Sequence, residues 1–201
     1  MSPTRRSRCR VGRSTRSGPV SRPRCGAGPW SRPSDVAGTD RSEHRDVARV
    51  LAALADRGVT PPVRHLDDAV RTAQAAADAI GVTPGEIANS LVFAGENADG
   101  DLAPVLVLTS GDHRVDPPLV AAALGLARLK RATPEQVREW TGFAIGGVAP
   151  LGHLTPPTVV VDHALDRFDA VWAAAGHSHS VFQTSYAELV DLTGGTPLDV
   201  A

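Results

Sequence analysis

From residue 42 onward the apolar positions follow two periods, one near 3.6 residues and one near 2, and the changes between them mark the elements. Val47, Val50, Leu51 and Leu54 recur at helical spacing, with Ser42 placed to cap the start and Gly58 to end the run, which predicts a helix over 43–57. A short strand is expected over 63–66 and an alanine-rich helix over 69–80, closed by Gly81. Residues 90–93 and 105–108 read as strands, and Asn97-Ala98-Asp99-Gly100 between them supplies the turn of a hairpin. A third helix is expected over 117–124. Thr133-Pro134-Glu135-Gln136 opens a fourth with a capping box and a proline at its first position, and Gly142 follows its end. Strands are expected over 158–161, 171–175 and 180–184, then a closing helix over 187–192 before Gly194-Gly195.

Strands separated by helices of irregular length, with at least one hairpin, imply a mixed sheet rather than a regular doubly wound one. The fold class expected is therefore α/β of the α+β type, with a mixed, mostly antiparallel sheet or partly closed barrel flanked by helices. No phosphate-binding glycine fingerprint follows a strand, which lowers the weight of nucleotide-binding folds.

Composition changes this picture mainly at the N-terminus. The chain has 201 residues, 42% hydrophobic and 21% charged, with 21 Lys and Arg against 22 Asp and Glu. Nine of the basic residues are arginines within residues 1–34, which hold no acid, so residues 35–201 carry 12 bases against 22 acids, a balance of −10. The first stretch is rich in Pro, Ser and Gly and too poor in apolar side chains to offset its ordering entropy. Residues 1–41 are accordingly expected to be a disordered extension and residues 42–201 the folded domain. Cys9 and Cys25 both lie in the extension, leaving none for a disulfide or zinc site in the domain. Neither a secretory apolar core nor a run of roughly 20 apolar residues is present, so a cytoplasmic protein without a membrane partner is expected. An acidic domain has no broad basic face, and DNA is not an expected partner. Arg128, Lys130, Arg131 and Arg138 form a small local patch, readable as a nucleic-acid contact or as solvated surface.

The candidate chemistry lies in the second half of the chain. Gly146 and Gly147, ahead of Pro150, cannot continue a helix; they read either as a loop bringing backbone N–H groups against a ligand or as an ordinary connection. Asp112, Arg114 and Asp116 form a charged turn, with an Asp112–Arg114 pair expected to hold it. His153, His163, His177 and His179 offer imidazoles, but without a His-Glu-x-x-His pattern or a cysteine no metal site is expected.

Five ordered segments carry a family resemblance: Ile87-Ala88-Asn89-Ser90-Leu91-Val92-Phe93, Ser110 to Asp116, Thr141 to Pro150, Val161-Asp162 and Ala175-Gly176-His177. Their order over about residues 45–200 resembles the YbaK/EbsC family, which includes the prolyl-tRNA editing domains. The resemblance implies hydrolysis of the ester of wrongly charged aminoacyl-tRNA, with no metal and no organic cofactor. The partner implied is the acceptor end of aminoacyl-tRNA, and a monomer or weak homo-oligomer is expected. It points to Asn89, Gly146, Gly147 and His177 as catalytic positions, and to Ser90, Pro150, His153 and His179 as substrate-binding ones. Relatives usually carry a lysine where this chain has Asn89, and the family serine near the Ala-Gly turn is replaced by the run Ala173-Ala174-Ala175. Two functions therefore stand side by side: a freestanding trans-editing deacylase with His177 assisting the water, or a non-catalytic binding module that kept the pocket and lost the lysine.

Overall fold

A computed structural model describes residues 41–70 and 72–201. The arginine-rich stretch, with Cys9 and Cys25, lies outside the described residues. Eight strands build one mixed sheet: β1 (Val63–His65), β2 (Ile87–Glu96), β3 (Leu102–Ser110), β4 (Arg128–Arg131), β5 (Thr158–Asp162), β6 (Val171–His177), β7 (Ser180–Thr184) and β8 (Thr196–Leu198). The order is β1-β7-β6-β2-β3-β5-β8, with β4 on the β6 side of β2. Pairs β1–β7, β6–β7, β2–β3 and β2–β4 are antiparallel, whereas β2–β6, β3–β5 and β5–β8 are parallel. The sheet stays open, so the mixed-sheet expectation holds and the partly closed barrel does not form.

Side-chain alternation along β2 and β3 divides the core between the two faces. Ala88, Val92, Leu106 and Leu108 pack on one face with Val50 and Leu54 of α1 (Arg41–Ala55), Val137 of α4 (Pro134–Thr141) and Leu189 of α5 (Tyr186–Thr193). Phe93, Val105 and Val107 point to the other face, against Val120 and Ala121 of α3 (Pro117–Ala123). Ile87 continues that face toward Ala76, Ala77 and Ile80 of α2 (Ala73–Ile80).

The hairpin forms as expected, with Asn97 Oδ1 accepting from the N–H groups of Asp99 and Asp101 at 2.9 Å each. The Thr133–Gln136 capping box and the Gly142 stop are both present. Other boundaries move. Ser42 lies inside α1 rather than at its cap, because its polar neighbours are acceptable helix residues and impose no stop. The second helix begins only after Thr72, whose side chain accepts from Ala75 N–H. Strands β4 and β8 carry too few apolar residues to show a period, and neither was expected.

Candidate functional site

Strand β2 has neighbours on both sides, but on one side they do not meet. Strand β6 pairs only with Ile87 and Ala88, and β4 only from Phe93 to Glu96. Among the described residues, no strand pairs with 89–91 on that side, and the gap opens into a cavity of about 470 Å³. Asn89 and Ser90 line its floor from the exposed edge of the strand, Gly146 and Ile145 line it from the loop after α4, and His177 from the end of β6. Alternation sends Asn89 toward the α2 face and Ser90 toward the α1 face. The Ser90 hydroxyl is buried and has no hydrogen-bond partner among the described residues. An unsatisfied buried hydroxyl costs about 1–3 kcal/mol.

Gly146 has φ +90°, a conformation that glycine adopts without strain. Gly147 is required for a different reason: a Cβ there would stand 2.8 Å from His177 Cα and 3.0 Å from its carbonyl carbon. The loop thus lies directly on the end of β6, which is what brings Gly146 and His177 to one cavity. The expectation that both glycines offer free N–H groups needs correction, since Gly147 N–H closes a turn onto the Ala144 carbonyl at 3.0 Å. Gly146 N–H has no backbone acceptor among the described residues.

His177 Nδ1 accepts from His179 N–H at 3.3 Å, and the two rings stack with centroids 5.3 Å apart. A ring whose Nδ1 accepts carries its proton on Nε2 when neutral. His179 does not line the cavity; its Nδ1 lies 3.2 Å from the Leu66 carbonyl oxygen.

Pro150 and His153 stand behind the loop instead of in the cavity. Pro150 is buried, and His153 Nε2 donates to the Ala149 carbonyl at 2.9 Å. Burial pushes the His153 imidazole below its ordinary pKa, against the opposing effect of the Ala149 bond, and the Arg49 charge adds to the depression. The Arg49 guanidinium lies 4.3 Å from the Phe143 ring centroid, and His153 meets the same ring edge-on. Arg49 also pairs with Asp46 at 3.3 Å within α1, and it is the stacking on Phe143 that ties this helix to the loop.

The charged turn after β3 is organised differently from expectation. Asp112 pairs with Arg167 at 3.2 Å, not with Arg114, and accepts from Ser110 Oγ at 2.7 Å. The Ser110 bond is the main reason its pKa lies below the usual carboxylate value, with Arg167 adding to the effect and burial opposing it. Asp116 caps α3. Asp162, 1% exposed, accepts from Thr109 Oγ1, Ser110 N–H and Ala164 N–H, which binds the ends of β3 and β5 together under the site. Among the described residues, no three His, Cys, Asp or Glu side chains are grouped to hold a metal ion, and no helix is long and apolar enough to cross a membrane.

Sequence reasoning missed Arg131, Ile145 and Trp172 as cavity residues. Arg131 had a signal in its basic neighbourhood; the other two had none, because an exposed isoleucine in a loop and a tryptophan in a strand both suit packing alone.

The family model described as "Aminoacyl-tRNA editing domain" matches residues 67–192. An uncharacterized protein of Bacillus subtilis, YwhH, is 34% identical over 131 residues, covering 65% of this chain and 80% of that one. The proline--tRNA ligase of Geobacillus kaustophilus is 33% identical over 136 residues, covering 65% of this chain but only 23% of the ligase. Among solved structures, a candidate trans-editing enzyme for prolyl tRNA synthetase superposes with a TM-score of 0.71 at 40% identity, over 81% of this chain and 98% of that chain.

Proposed function

The chain belongs to the aminoacyl-tRNA editing domain family, and from that premise we propose that it is a freestanding deacylase that hydrolyses the ester of mischarged tRNA in trans. The observation that carries this reading is the gap beside β2, where Asn89, the unsatisfied Ser90 hydroxyl, Gly146 and His177 surround one cavity. Ester hydrolysis needs a held carbonyl, a placed water and donors aimed at the developing oxyanion. The Asn89 amide and Gly146 N–H are the neutral donors for that oxygen, and Ser90 lines the floor beside them. Water adds to the carbonyl carbon, the bond to the ribose oxygen breaks, and the water's proton ends on that oxygen. His177, with its N–H on Nε2, stabilises the ribose oxygen as it leaves, replacing the base role expected from sequence.

The similarity to a candidate trans-editing enzyme for prolyl tRNA synthetase and to part of a proline--tRNA ligase supports proline tRNA as the first substrate to test. The test is release of free amino acid from a panel of mischarged tRNAs, with proline tRNA carrying wrong amino acids at its centre. Hydrolysis of at least one, well above the uncatalysed rate, is expected. Binding without hydrolysis across the panel would replace this reading with the non-catalytic module.

A further inference from the structure

Ile145 and His177 line not one cavity but two. Beyond them lies a crevice of about 100 Å³ whose polar wall is made by Asp46, Arg138 and Ser178. The charges there are unequal in effect. Asp46 is neutralised by Arg49 at 3.3 Å, whereas Arg138, exposed in the last turn of α4, makes no ion pair among the described residues. The uncompensated charge of the crevice is therefore positive, although residues 35–201 as a whole are strongly acidic. The partition itself is apolar on its outer side, since Ile145 is 57% exposed.

This inference rests on the proposed substrate, a nucleotide chain whose last residue carries the ester. With that residue in the larger cavity, the preceding nucleotide has to cross the rim, and the Ile145–His177 wall separates the two compartments by a single layer of side chains. We propose that the smaller crevice is the subsite of the nucleotide preceding the aminoacylated one. Arg138 holds the phosphate joining the two, and the Ile145 side chain packs against the apolar face of the preceding base. A phosphate contact positions the strand without reading its sequence, which suits an end common to all tRNAs.

The probes are the RNA trinucleotide CCA and adenosine alone, titrated into the full chain as wild type, Arg138→Ala and Arg138→Lys. Arg138→Ala is expected to weaken CCA binding about tenfold, to weaken adenosine binding at least fivefold less than that, and to lower the slope of log K against log salt by about 0.7, the value for one phosphate contact on a single strand. Arg138→Lys is expected to recover most of the CCA affinity, because the charge returns. Equal losses on both probes, no loss on CCA, or no CCA binding by wild type at millimolar concentration would each overturn the subsite. Hydrolysis of mischarged tRNA is measured in parallel. Arg138-dependent CCA binding without any hydrolysis refutes the deacylase and leaves the subsite standing, whereas hydrolysis with CCA binding indifferent to Arg138 does the reverse.

Discussion

His179 N–H donates to His177 Nδ1, and the stacked rings hold this arrangement at the end of β6. The bond occupies the Nδ1 lone pair, and in the proposed reaction the neutral ring acts through its Nε2–H as a donor. His177→Ala is expected to lower kcat on mischarged tRNA by about tenfold or more, and His177→Asn, which keeps an N–H, to retain several times the activity of His177→Ala. Equal activities of the two variants would exclude the donor role.

Asn89 supplies a donor without a charge. Asn89→Ala is expected to reduce the hydrolysis rate about tenfold or more, on the scale of one lost oxyanion donor. Asn89→Lys is expected to lower it as well, because Arg131 lines the same cavity and a second cation there adds repulsion. A gain of hydrolysis in Asn89→Lys over an inactive wild type would instead identify a pocket that had lost its catalytic charge.

The two glycines separate strain from contact. Gly147→Ala forces a methyl group to within 2.8 Å of the His177 backbone, which no rotamer change can relieve. A cost of about 1–3 kcal/mol follows, and a Tm lower by roughly 5 °C. Gly146→Ala strains a positive φ by about 1–2 kcal/mol at a residue that lines the cavity, so its activity loss is expected to exceed its stability loss. Thermal melts and single-turnover rates on both variants distinguish them.

Much of the fold was legible because several local signals agree with the global structure. The 97–101 turn, the Thr133 capping box and the runs that became β5, β6 and β7 each specify their element through a few neighbouring residues. The site was less legible. Asn89, Gly146 and His177 were reached through ordered motifs, but the gap that joins them arises from where β4 and β6 stop, and Arg128-Leu129-Lys130-Arg131 gives β4 only one apolar residue to announce it. The same limit explains Asp112: its partner Arg167 is 55 positions away, while sequence proximity suggested Arg114.

His153 makes stability depend on pH. Burial holds its folded pKa below the ordinary 6.5, so the unfolded chain binds the proton more readily. The stabilisation is complete above about 6.5 and is lost as pH falls from there through the depressed folded value. Tm measured from pH 7.5 down to 5 is expected to fall more steeply for wild type than for His153→Gln, which keeps a donor for the Ala149 carbonyl. Parallel curves would show that His153 contributes nothing to the pH response.

We propose that residues 42–201 fold without the stretch that precedes them. Deleting residues 1–34 is expected to leave Tm unchanged within error, and to weaken any salt-sensitive tRNA binding by removing nine arginines. A large drop in Tm would show that this stretch contributes to the folded unit.

An unpaired length of strand is ordinarily a hazard, because its free N–H and C=O groups form a template on which another chain can add. Here the unpaired length lies in mid-sheet at residues 89–91, with β6 and β4 closing it at either end and α2 and the 145–148 loop along its sides. A length of three residues bounded in this way is too short to template an added strand. On the proposed function, the opening that takes the substrate is thereby kept from seeding aggregation by its enclosure, without the charged or proline residues that guard exposed edges elsewhere.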